Sequence, residues 1–414
     1  MKVRIHSEPP GPQAQSIIEI MNRNCCNSTF TYPLVISGGE GCIIQDVDGN
    51  SFLDFSSNIG TCPLGYSHPA VLQVLSEYSR NGAHKIAGQD FYCNEHAQLS
   101  ESVKSIIPSG FKMIFVNSGA EAVENAIKLA YRKMSTQTPS LLPGVSCINA
   151  FHGRTLGALS FTLSKPVQKA GYPELPVLRI KFCTDDNDPE LDSIHKILEQ
   201  TKVAFIMTEI VQGEGGYNFA STRFIQTLRR YSDQYGVPLV LDEVQSGMGR
   251  TGKWWAFEHY NVQPDIMSAA KALQVGMAAY DTKFDPSEQG ALSSTWGGGS
   301  RIDMTVGAAT IEVIKKERLL ENATAMGKRL QRGISDLSMD IKSGIIGVRG
   351  LGLMIGMEFE SQPRRDKIIN KAFRKGLLML PAGQKSMRVI PPLIINSEEV
   401  DEGLDLLQEV VLSS

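Results

Sequence analysis

What the chain lacks narrows its function first. Its 414 residues hold seven cysteines, an odd number, with no C-x-x-C pair; Cys25 and Cys26 are adjacent and the others lie far apart. That fits reduced thiols better than a disulfide framework. The seven histidines form no H-x-x-H or H-x-x-x-H pair, so no metal site is expected. No uninterrupted apolar run approaches the roughly 20 residues that span a bilayer, and Met1–Pro10 carries no signal-peptide apolar region, which reads as a cytoplasmic protein with no membrane partner. Charge of one sign is not in excess: the formal net charge is −3, giving no reason to expect a nucleic-acid partner. No internal repeat or low-complexity tract is visible.

What is present is an alternation of short apolar runs and helical patterns. Met113–Val116, Val145–Asn149, Val203–Thr208, Pro238–Leu241 and Ile266–Ala270 read as buried strands, with helices at Glu121–Lys133 and Thr222–Gln234 between them. This is the signature of an α/β fold with a mostly parallel sheet. Before it, Gly41–Val47 and Ser51–Phe55 read as a hairpin turned at Asp48-Gly49-Asn50. After Gly299, a long amphipathic run from Ile302 to about Leu337 leads into an α+β stretch that ends in a helix over 397–412. The expected organisation is an N-terminal segment (1–60) packed with a small domain, a large domain (61–300), and a C-terminal small domain (301–414) carrying a bridging helix.

Each strand run is followed by a polar motif, so the motifs would gather along one sheet edge, where open α/β sheets bind ligands. Asn117-Ser118-Gly119-Ala120-Glu121 offers backbone N–H groups and a helix dipole to an anion, although Ser-Gly is also an ordinary helix cap. Phe151-His152-Gly153-Arg154-Thr155 joins an aromatic face, able to stack on a flat ring, to a guanidinium able to clamp a carboxylate; plain core is the commoner fate of such a phenylalanine. Asp242 ends one strand and Lys271 the next. An amine at a buried strand end is costly unless it acts as a nucleophile; turned out to water it would be unremarkable. Asp242 could hold a ring nitrogen protonated, since unit charges about 4 Å apart attract by roughly 4 kcal/mol at an effective dielectric of 20, or about three pKa units. Gln245, three residues on, could meet a ring hydroxyl. A phosphate cradle, a ring stacker, a carboxylate for a ring nitrogen and an amine for an imine together describe pyridoxal 5′-phosphate.

On these motifs, with Gln212-Gly-Glu-Gly-Gly216 and Met387–Leu393, the chain resembles the class III (ω-amino) aminotransferases over nearly its whole length, and the 4-aminobutyrate aminotransferases among them. The resemblance implies the fold type I architecture of pyridoxal-phosphate-dependent transferases: a large domain with a mostly parallel seven-stranded sheet and a smaller α+β domain formed by both termini. It implies that Lys271 binds the cofactor as an imine and shuttles a proton, that Asp242 holds the ring nitrogen and Gln245 the phenolic oxygen, and that Phe151, with His152, covers the ring. Ser118, Gly119 and Ala120 would cradle the phosphate. Thr295 would reach the phosphate of a neighbouring subunit's cofactor, requiring a homodimer, alone or paired into a tetramer. For the substrates, an amino donor and 2-oxoglutarate, the resemblance implies that Arg154 takes the distal carboxylate and Arg388 the α-carboxylate. Glu214 would pair with Arg388 when the substrate has no α-carboxylate, and Glu209 and Ile59 would line the same pocket.

The chain also departs from the family. Ala272–Met277 stands where a glycine-rich turn is usual, Ile210 where proline is usual, and only 24 residues (295 − 271) separate Lys271 from Thr295. With Ser294-Thr-Trp-Gly-Gly298 and Leu380–Gly383, these features are similar to the lysine 6-aminotransferase branch. Ile59 matches the isoleucine of 4-aminobutyrate enzymes. The expected activity is therefore transfer of an ω-amino group, foremost that of 4-aminobutyrate, to 2-oxoglutarate. Lysine or ornithine ω-transamination, an amino-acid racemase or aminomutase, and a non-catalytic relative are the alternatives. No iron–sulfur cluster is expected, because Ser118–Lys133 contains no cysteine.

Overall fold

The computed structural model describes residues 2–26, 32–81, 84–85, 91–135, 141–293 and 298–413. The chain divides into two compact units, Gln73–Glu317 and the pair Met1–Leu72 with Arg318–Ser414. Among the described residues no helix is long and apolar enough to cross a membrane.

The unit Gln73–Glu317 is built on a seven-stranded sheet. Its strands are β1 (Phe111–Val116), β2 (Gly144–Cys147), β3 (Val177–Ile180), β4 (Phe205–Glu209), β5 (Leu239–Asp242), β6 (Ile266–Ala269) and β7 (Gly276–Asp281), in the order β1-β7-β6-β5-β4-β2-β3. Neighbours from β6 to β3 run parallel; β7 alone is antiparallel to both of its neighbours. All residues of β4, β5 and β6 are buried, which is why these strands are continuous apolar runs and not alternating ones: a parallel sheet is covered on both faces. Helix α1 (Gly119–Ser135) covers part of one face with Val123, Ala126, Ile127 and Ala130, packed in one core with Phe161, Phe205, Val240 and Ile266. Helix α2 (Thr222–Tyr235) starts where the Ser221 hydroxyl accepts the Phe224 N–H at 3.2 Å and stops at Gly236 in the left-handed region. Both stops follow ordinary capping chemistry. The crossovers bring the carboxyl ends of β2, β4, β5 and β6 to one edge.

In the other unit, Ile36–Glu40, Ile43–Asp46, Ser51–Asp54 and Leu377–Leu378 form one sheet, and Ile345–Leu351, Met354–Phe359, Ser386–Val389 and Leu380–Ala382 a second. The hairpin of 43–46 with 51–54 is antiparallel, as the turn at Asp48-Gly49-Asn50 suggests. The amphipathic run expected from Ile302 to Leu337 is two helices, Arg301–Lys316 and Leu319–Ser338, and not one. Arg318 breaks it in the left-handed region (φ 55°), so the units part in sequence between Glu317 and Arg318. The segment Ser56–Gly60, which holds Ile59, is a left-handed turn: Ser57, Asn58, Ile59 and Gly60 all have positive φ. The buried Asp54 carboxylate anchors it, accepting the Ser56 N–H at 2.7 Å and the Ser57 N–H at 3.0 Å.

Candidate active site

Asp242 is the last residue of β5, 5% exposed, in register with Ser268 of β6 and Glu209 of β4. Its Oδ1 accepts the Ser268 hydroxyl and the Val244 N–H, each at 3.0 Å. Its Oδ2 lies 2.8 Å from His152 Nδ1; the carboxylate accepts, so Nδ1–H is the donor. Burial alone would push the His152 imidazole down, but the bond to Asp242 and the charges of Asp242 and Glu209 outweigh it and its pKa is raised. The imidazole's other nitrogen, Nε2, is buried without a hydrogen-bond partner.

Lys271 follows β6, at φ 27°, and opens a short 3-10 turn through Leu273. A non-glycine residue held there is backbone strain of the kind that gathers at functional sites. Just ahead of it, Ala270 packs beside the start of α1: a Cβ built on Gly119 would stand 2.9 Å from Val244 Cγ1 and 3.4 Å from Ala270 Cβ. Only glycine lets α1 begin so close to the loops that carry Asp242 and Lys271. The α1 start is capped from its own sequence. Ser118 Oγ accepts the Glu121 N–H at 3.2 Å and Glu121 Oε2 accepts the Asn117 N–H at 2.7 Å, a reciprocal capping pair. The first-turn N–H groups at Gly119 and Ala120 have no intrahelical acceptor.

The loop after β2 reaches the same place. A Cβ on Gly153, whose φ is 136°, would stand 3.0 Å from Ala120 Cβ. His152 N–H donates to Thr162 Oγ1 at 2.9 Å, and the Arg154 guanidinium carbon lies 5.6 Å from the centre of the Phe151 ring, within cation–π range. Glu209 is 6% exposed; its two carboxylate oxygens accept the Phe151 and Gly213 N–H groups, each at 3.0 Å. Burial pushes its carboxyl up to about 7, with Asp242 adding to the rise and His152 and the two N–H groups opposing it. Glu209 therefore ties the β2 and β4 loops together. Gln245 lies over Gly213, where a Cβ would come within 2.7 Å of Gln245 Oε1, and that oxygen accepts the Tyr217 hydroxyl at 2.9 Å.

These contacts bring together Ser118, Gly119, Ala120, Phe151, His152, Arg154, Glu209, Asp242 and Gln245, with Lys271 beside them in sequence at Ala270. Glu214 is half-buried in the β4 loop. Ile59 (39% exposed, in the left-handed turn) and Arg388 (4% exposed, opposite Gly356 and Leu380) belong to the other unit. Thr295 lies outside the described residues. Ser268, Thr162 and Tyr217 were not legible in advance: each supports a site group from a position that looks like ordinary strand or loop polarity.

The residues fit pyridoxal phosphate on three structural counts. Glycine is required at Gly119, where a cradle must approach Val244. A buried carboxylate at a strand end accepts three hydrogen bonds. A buried imidazole nitrogen beside it lacks a protein partner. The comparisons agree. The profile of "Aminotransferase class-III" matches residues 26–411. An acetylornithine aminotransferase of Prochlorococcus marinus is 37% identical, covering 89% of each chain, and one of Caldanaerobacter subterraneus is 34% identical, covering 92% of this chain and 95% of its own. The solved lysine aminotransferase of M. tuberculosis superposes with a TM-score of 0.89 at 27% identity, covering 96% of this chain and 99% of that one. The chain belongs to the class III aminotransferases and has the fold of type I pyridoxal-phosphate-dependent transferases. It is an aminotransferase, and its cofactor is pyridoxal 5′-phosphate.

Proposed function

We propose that the protein transfers the ω-amino group of an amino acid to 2-oxoglutarate, with N-acetylornithine as its leading donor. The observation that carries the reading is the juxtaposition of buried Asp242, the strained Lys271 and the Arg154–Phe151 pair around one sheet edge. When bound there, the cofactor supplies an electron sink for the bond broken at the donor carbon. Asp242, steadied by Ser268, Val244 and His152, holds a proton on the ring nitrogen. With the cofactor bound, Lys271 would be the general base that takes the proton from the donor carbon. Phe151 excludes water from one ring face. Gln245 keeps an amide N–H for the ring oxygen while its own Oε1 is occupied by Tyr217. Arg154 takes the carboxylate at the donor's far end, a contact for which a planar guanidinium is suited.

The relatives favour an acetylornithine-type donor, since those at 34–37% identity carry that name. Ile59 supports a second reading, 4-aminobutyrate, and the lysine aminotransferase neighbour keeps lysine in the test. The visible absorption of the purified holoenzyme, followed after adding N-acetylornithine, 4-aminobutyrate, lysine or ornithine singly and without oxo acid, separates them. N-acetylornithine is expected to bleach the band fastest. Fastest bleaching by 4-aminobutyrate selects the second reading, and no bleaching by any of the four overturns the ω-amino assignment.

A further inference from the structure

The stretch Phe151–Thr155 has no regular secondary structure, yet it carries three of the site groups. Its N-terminal side is fixed by Glu209 at Phe151 N–H and by Thr162, which accepts the His152 N–H and donates to the Gly153 carbonyl at 3.0 Å. On the other side of Arg154 the chain enters the short helix Leu156–Phe161. The residue at its cap, Thr155, makes no capping bond of its own. The role is taken by Glu124 of α1, whose Oε1 accepts both the Thr155 hydroxyl at 2.5 Å and the Ala158 N–H at 2.9 Å. Contact is so close that a Cβ on Gly157 would stand 2.3 Å from Glu124 Oε2. Glu124 lies four and five residues after Ala120 and Gly119, on the face of α1 that those residues begin.

We propose that Glu124 is a positioning residue for Arg154. It pins the backbone immediately after the arginine to the helix that opens at the phosphate cradle, so the guanidinium is set at a fixed distance from the reacting end of the site. Arg154 itself is exposed and meets the Phe151 ring; a ring contact fixes its height but not its reach. Bracketed by Thr162 before it and Glu124 after it, the side chain has one backbone origin. The inference rests on the reading of Arg154 as the ligand of the donor's distal carboxylate. It adds a residue that never touches the substrate.

The test compares Glu124→Ala, Glu124→Gln and Arg154→Ala in the holoenzyme, with N-acetylornithine and with N-acetylputrescine, the same amine without the carboxylate. Two hydrogen bonds to a charged acceptor are lost in Glu124→Ala, so KM for N-acetylornithine should rise about tenfold while KM for N-acetylputrescine stays near the parent value. Glu124→Gln keeps an acceptor oxygen and should recover most of the loss. In the apoprotein, amide hydrogen exchange across 152–159 should speed up in Glu124→Ala and not in Glu124→Gln. If the loss on Arg154→Ala is confined to N-acetylornithine but Glu124→Ala slows both amines equally, or if Gln is no better than Ala, the positioning role is overturned and the Arg154 reading stands. If Arg154→Ala impairs both amines equally relative to the parent, or neither, that reading fails and the inference falls with it.

Discussion

Three carboxylates within residues 209–243 are almost wholly buried: Glu209, Asp242 and Glu243. Their hydrogen-bond partners differ. Asp242 receives a hydroxyl, a backbone N–H and an imidazole N–H. Glu243, one residue on, receives the Ser246 hydroxyl at 2.6 Å and the Phe257 N–H at 2.9 Å, and burial still pushes its carboxyl from an ordinary 4.5 up to about 7, with Asp242 adding to the rise. An acid whose folded pKa is raised favours the fold while protonated. Its contribution is complete below about 4.5 and is lost as the pH climbs through about 7. Glu243→Gln, which mimics the protonated form, should therefore flatten the decline of the holoenzyme's melting temperature between about pH 4.5 and 7. Parallel melting profiles for parent and variant would show that Glu243 is not the group that titrates.

At the scale of elements, the site depends on how closely α1 approaches the β5 and β6 loops. Gly119→Ala places a methyl 2.9 Å from Val244 Cγ1, and overpacking of this kind costs about 1–3 kcal/mol. Because Val244 is also a donor to Asp242, the strain is expected to loosen both cradle and acid. Cofactor retention on dialysis should fall by about tenfold or more, and unchanged retention would mean that the start of α1 does not bear on the cofactor. The elements themselves were legible to very different degrees. The last helix spans Ser397–Leu412 as expected, and Asn396 and Glu399 form a capping box at its start. Strand β7 was missed. Gly276–Asp281 is short on β-branched residues (Gly-Met-Ala-Ala-Tyr-Asp) and runs against the parallel rhythm around it, so neither composition nor alternation marks it. Strand β3 was missed as well, being brief and partly exposed. Arg318 in the left-handed region carries no mark either, since arginine is a good helix former and the break is imposed by tertiary structure.

For the whole molecule, the sheet order explains why motifs more than 150 residues apart (271 − 117 = 154) meet: parallel crossovers return the loops after β2, β4, β5 and β6 to one edge, where α/β sheets bind ligands. Asp242 and Lys271 could be singled out as candidates because a charged group is costly at a buried strand end, and the glycine-bearing turn and Phe151 only because they follow strands of the same sheet. The supports could not. Ser268 sits mid-strand, Thr162 follows a helix, and Glu124 looks like one more charge on an amphipathic helix; only the folded chain shows what each one holds. The account stands or falls on Lys271 as the covalent anchor of the cofactor. Borohydride reduction of the purified holoenzyme followed by peptide mass mapping tests it most directly. The pyridoxyl mass is predicted on the peptide containing Lys271 and on no other; its appearance on a different lysine, or on none, would contradict the assignment.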